Sequence, residues 1–159
     1  MQKCRRGVGL KSDRGQVCPS SSHCEEQVEH QERSPVVPLM ILIAGPYRSG
    51  TGDDPEKMAA NVRAMEAFAL PLFRAGHVPV VGEWLALPLV SLAGSTRVGD
   101  GPFTEIFHPI AERLLAGCDG VLRIGGASAG ADLMVATARG KGLRVFHRLQ
   151  EVPGCAGAE

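Results

Sequence analysis

The sequence predicts an α/β protein: three layers, with a parallel sheet of four to five strands and helices on both faces. Three observations predict it. Short apolar runs, "MILIA" (40–44), "HVPVVG" (77–82), "DGVLRIG" (119–125) and "LRVFH" (143–147), alternate with longer helix-compatible segments. That alternation builds parallel sheets through crossover helices. The first run is apolar throughout, as strands covered on both faces are. The chain is 44% hydrophobic but only 4% aromatic, so its core must come from Leu, Val, Ile and Ala.

Each element has a local reason. The first strand stops at Gly45-Pro46. Asp53 or Asp54 caps a helix with Pro55 at its first position. This helix is expected to reach about Ala75, with Met58, Val62, Met65, Ala69 and Leu72 on one face, Pro71 bending its last turn and Gly76 ending it. Pro79 removes one ladder hydrogen bond from the second strand. "EWLALPLVSLAG" (83–94) reads as an apolar helix interrupted at Pro88. It has too little polar surface for a free outer helix, so other helices or a second copy of the chain should cover it. Residues 95–102 form a loop. A helix over 103–118 is expected to become regular near Pro109, and another over 128–142 ends on a glycine.

With 159 residues the chain suits one domain. That domain is expected over 39–153, after a disordered tail at 1–38 and before a flexible end at 154–159. "CPSSSHCEEQVEHQERSP" within the tail is too polar for burial to offset its ordering entropy, and it lacks the apolar region of a secretory signal. Met40, at the head of the first strand, is a candidate translation start. Seventeen basic and seventeen acidic residues cancel, so neither a nucleic-acid polymer nor a membrane surface is an expected partner. Cys4, Cys18, Cys24, Cys118 and Cys155 form no paired motif, and Cys18, His23, Cys24 and His30 do not match zinc spacing. No metal or cofactor is expected, and free thiols suit the cytoplasm.

In open α/β sheets, ligands bind beyond the carboxyl ends of the strands. Three loops lie there: "GPYRSGTG" (45–52), Glu83-Trp84, and "GGASAGAD" (125–132), which includes Gly126, Ser128 and Gly130. Two of them run into helix N-termini, where exposed N–H groups and the helix dipole favour anions. Neither matches the dinucleotide or the nucleoside-triphosphate glycine motif. Each alone also reads as a tight turn, with Ser128 as an ordinary helix cap.

"MILIAGPYRSG", Asn61, "RAGHVPVVGEW" and "CDGVLRIGGASAGADLMVATARGKGLRVF" together resemble the nucleoside 2-deoxyribosyltransferase-like superfamily, in particular its DUF4406-type branch, over about residues 40–147. The resemblance implies a flavodoxin-like or Rossmann-like sheet. It implies a small-molecule nucleoside or nucleotide ligand, cleavage or exchange of its N-glycosidic bond, and a homo-oligomer. It places Gly45, Tyr47, Arg48 and Ser49 on one side of the pocket and Ser128 and Gly130 on the other. Relatives attack the sugar with a carboxylate, as retaining glycosidases do.

The sequence departs from the family at that carboxylate. Relatives carry a glutamate six positions after the serine, and here that position is Met134. Asp132 is the nearest carboxylate, but two positions rotate a helical side chain by about 200°. Asp132 either points into the pocket through a remodelled turn or merely decorates the first helical turn. Without it, the domain would bind its ligand and leave the bond intact. Glu112 is the candidate second acid, or part of an exposed helix face. His108 is a cap or an acid–base group. Glu83 and Trp84 either contact sugar and base, or Trp84 anchors its helix in the core.

Overall fold

The computed structural model describes residues 36–157. The expected disordered tail therefore falls outside the described residues up to 35. Residues 36–38 are irregular, with Val36 against Gly154.

Four strands form one parallel sheet: β1 (Met40–Ala44), β2 (Val78–Val81), β3 (Gly120–Arg123) and β4 (Arg144–Phe146), in the order β2-β1-β3-β4. This is a three-layer α/β fold with the strand order of doubly wound, flavodoxin-like sheets. The register pairs Ile43 with Val81 on one side and with Leu122 on the other. Pro79 is tolerated because β2 is an edge strand.

The two-residue period of β1 feeds two cores. Ile41 and Ile43 join Met65, Leu72, Leu122 and Val152 on one face, beneath α1 (Pro55–Glu66) and α2 (Ala69–Arg74). Leu42 and Ala44 join Leu115, Val121, Ala131, Met134 and Ala138 on the other, beneath α4 (Gly101–Ala116) and α5 (Ala129–Gly140). The helix α3 (Gly82–Leu92) packs on α4 and on β1 and β2. Cys155 is buried in the first core, so packing continues past 153 into the segment expected to be flexible.

Three elements differ from expectation. The first helix is two helices, broken at Ala67–Phe68. Pro71 has no N–H for the carbonyl of Ala67, four residues back, and its ring crowds that carbonyl. The effect is a break upstream of the proline, not a bend in the last turn. The helix expected to become regular near Pro109 is instead continuous from Gly101. Asp100 caps it, accepting from the N–H of Phe103 at 3.0 Å, and Pro102 sits in the first turn, where no N–H is needed. Pro109 lies inside it, and the carbonyl it leaves unbonded belongs to the exposed Glu105. The helix expected to be interrupted at Pro88 runs unbroken from Gly82 to Leu92, with Ala86 and Val90 buried and Leu85, Leu89 and Leu92 exposed. Other helices cover only one side of it.

His77 holds three segments together. It is 2% exposed. Its Nδ1 accepts from the N–H of Leu39 at 3.2 Å, and its Nε2 donates to the carbonyl of Pro153 at 2.6 Å. A carbonyl only accepts, so the proton must sit on Nε2. Asp119, at the opposite edge from the ligand loops, accepts from the N–H of Met40 at 2.7 Å and fixes the entry to β1.

Candidate binding cleft

A cleft of about 240 Å³ opens beyond the carboxyl ends of β1 and β3, where the strand order reverses. Gly45, Tyr47, Arg48 and Ser49 line it from the turn after β1. This turn is braced from several sides. Asn61 of α1 donates to the carbonyl of Tyr47 at 2.9 Å. The buried Thr51 hydroxyl donates to the carbonyl of Arg48 at 2.6 Å. The two glycine turns also touch: Gly125 has φ +72°, and a Cβ there would lie 2.8 Å from Cδ of Pro46.

Arg48 is held at the mouth by a two-pronged pair with Asp53, Nη2 to Oδ2 being 2.7 Å. The hydrogen bonds raise the Arg48 guanidinium and lower the Asp53 carboxyl from their ordinary ranges. Asp53 adopts φ 63°, in the left-handed region that non-glycine residues rarely occupy. The strain is located where the residue reaches Arg48.

The opposite wall is the N-terminus of α5. Ser128 is buried and caps the helix, its Oγ accepting from the N–H of Ala131 at 3.3 Å. Gly130 lets α4 approach: a Cβ there would lie 3.1 Å from Cε1 of His108. From α4, Phe103, Phe107 and His108 enter the cleft. The rings of Phe103 and Phe107 stack with centroids 4.6 Å apart, and Tyr47 lies 4.8 Å from Phe107. In a chain so poor in aromatics, this wall concentrates flat apolar surface against a polar turn.

Glu83 enters from the second residue of α3. Desolvation pushes its carboxyl up to about 7, opposed by a hydrogen bond from its own backbone N–H. Burial, and then the charge of Glu83, raise the Tyr47 phenol. The two side chains therefore share one electrostatic neighbourhood.

The cleft brings together seven of the residues singled out from the sequence: Gly45, Tyr47, Arg48, Ser49, Glu83, Ser128 and Gly130. Four others lie outside its lining. Asp132 is exposed and pairs with Arg123, Nε to Oδ1 being 2.9 Å, while Met134 lines the cleft two positions on. The turn is not remodelled to bring Asp132 inside, because Arg123 holds it outside. The same guanidinium donates to the carbonyls of Ile124 and Gly126, the latter at 2.7 Å. Gly126 thus serves the turn and not the cleft. Glu112 is exposed on α4. Trp84 is 42% exposed and donates from Nε1 to Glu66 at 2.8 Å, so it does not anchor its helix in the core.

Sequence reasoning missed Phe103 and Phe107 as lining residues, and left His108 between two roles. The available signal was the i, i+4 spacing of two phenylalanines beside His108, just after a loop at the ligand end of the sheet. No protein-family model matches the chain, and no curated protein matches its sequence.

Proposed function

We propose that the cleft binds a nucleoside or nucleotide and leaves its N-glycosidic bond intact. The observation that carries this reading is the pairing of an aromatic wall, Tyr47–Phe107–Phe103, with the polar turn at Arg48–Ser49 and the capped N-terminus of α5. A base suits the first, and a sugar phosphate suits the second. The covalent route of the resembled family has no support here: Met134 occupies the position facing the cleft, and Asp132 and Glu112 face solvent.

One observation favours a second reading, in which the bond is cleaved or exchanged. Glu83 is a carboxylate inside the cleft, and its carboxyl titrates near neutrality. Calorimetric titration with the four deoxynucleoside 5′-monophosphates, and chromatography of the same mixtures for free base, separates the two. Binding without base release is expected. Base release that disappears in Glu83→Gln would establish the second reading, and no binding of any nucleotide would remove both.

Self-association belongs to the same proposal, supported by the exposed Leu85, Leu89 and Leu92 on α3. A cytoplasmic location is proposed too, resting on Cys118 and Cys155 as free, buried thiols. Among the described residues, no helix is long and apolar enough to cross a membrane.

A further inference from the structure

We propose that the cleft takes up a proton at the Glu83 carboxyl when it binds a phosphate-bearing nucleoside, and that the protonated carboxyl donates a hydrogen bond to the ligand; the proposal rests on the nucleotide reading above. Glu83 shares the cleft lining with the apolar Leu42, Ala86, Ala111 and Met134. Among the described residues it forms no ion pair, and its own backbone N–H is the hydrogen-bond donor it accepts from. Ionisable groups from two neighbouring elements also line the cleft. They are Tyr47 and Arg48 from the turn after β1, and His108 from α4. Arg48 is engaged by Asp53. The lining residues of β1 and α5 carry no charge, and on α3 the adjacent Trp84 is tied to Glu66 of α1.

Proximity sets the protonation state. Glu83 lines the same cleft as the polar turn at Arg48–Ser49. A carboxylate and a phosphate about 6 Å apart there repel, at an effective dielectric of about 20, by on the order of 100-fold in affinity. Burial has already brought the Glu83 carboxyl up to about 7, so protonating it at pH 8 disfavours binding by only about tenfold. Proton uptake is the less costly route. The neutral acid also gains a donor, which a phosphate or base acceptor can use.

The test is calorimetric titration of 2′-deoxyadenosine 5′-monophosphate, or whichever of the four deoxynucleotides binds most tightly, in two buffers of different ionisation enthalpy at pH 8. The repulsion above raises the bound carboxyl by about two pH units, so about 0.8 proton should be taken up per nucleotide and affinity should fall about 25-fold from pH 7 to pH 9. Glu83→Gln mimics the neutral acid. It should bind at pH 8 at least as well as the wild type and take up about 0.8 fewer protons. Any contribution from the nucleotide's own phosphate or from His108 survives in this variant, so the difference between the two proteins is the readout. Wild-type binding without uptake, or uptake unchanged by Glu83→Gln, overturns the proposal and leaves the nucleotide reading standing. Should Glu83→Gln fail to fold, Glu83→Ala takes its place in the subtraction, and its proton uptake should likewise fall by about 0.8 per nucleotide. Binding of no nucleotide between pH 6 and pH 9 overturns the nucleotide reading itself.

Discussion

Glu83→Gln should make the protein more stable at pH 8 than the wild type, and the gain should shrink at pH 5. Desolvation raises the Glu83 carboxyl in the folded chain from its ordinary 4.5 to about 7. A carboxyl raised by folding keeps its proton while the unfolded chain has already released one. Stability then falls as pH rises from about 4.5 to about 7, and this group adds no further change above that. The gap converts to an upper bound of about 3 kcal/mol at pH 8. Glu83 keeps some contact with water in the cleft, so we expect about 1–3 kcal/mol. Glutamine has nearly the same shape and no charge to desolvate, so it removes the pH-dependent part. Urea unfolding of both proteins at pH 5 and pH 8 measures it. The variant's advantage should grow by about 2 kcal/mol between the two. An equal difference at both values would mean that the Glu83 carboxyl is not desolvated in the folded chain.

Four other outcomes test the structure. Phe107→Ala should weaken nucleotide binding by about 1–3 kcal/mol, the range for a base losing an aromatic partner, with unchanged secondary structure by circular dichroism. Asp132→Asn should alter nucleotide affinity by less than about twofold, because the side chain faces solvent; a tenfold loss in the same calorimetric titration would place it in the site after all. His77→Ala should cost about 1–3 kcal/mol in urea unfolding, since it orphans the N–H of Leu39 and the carbonyl of Pro153. Sedimentation at micromolar concentration should show association that Leu89→Glu abolishes, and a wild-type monomer would refute α3 as the contact.

The layers were legible because they depend on local patterns. Strand runs at 40–44 and 120–123, the Asp54 and Ser128 caps and the glycine turns all follow from the chemistry of a few adjacent residues. Proline effects were less so. Whether Pro71 bends or breaks a helix depends on how Phe68 packs against the core, and Pro109 is accepted because the carbonyl it orphans is on the exposed Glu105. The loops that form the cleft could be placed at one sheet edge from topology alone. Phe103 and Phe107 could not, because they enter from a helix, and only the tertiary crossing of α3, α4 and α5 turns that face inward. His77 was equally invisible: its partners are 38 and 76 residues away in sequence.

The fate of the missing carboxylate follows from two constraints that act together. Positions 132 and 134 of α5 point about 200° apart, so only one of them can face the sheet and cleft. Met134 is 4% exposed and belongs to the core beneath α5. Rotating the helix to admit Asp132 would expose Met134 and unseat Ala131 and Ala138, which are buried with it. It would also strip Arg123 of its carboxylate, and that guanidinium is 11% exposed and braces the carbonyls of Ile124 and Gly126. A partly buried guanidinium without a counter-charge is costly. Apolar packing on one side of α5 and charge pairing on the other therefore fix the same rotation. Asp132 is held outside the cleft by both, and Glu83 on α3 is the carboxyl among the cleft's lining residues.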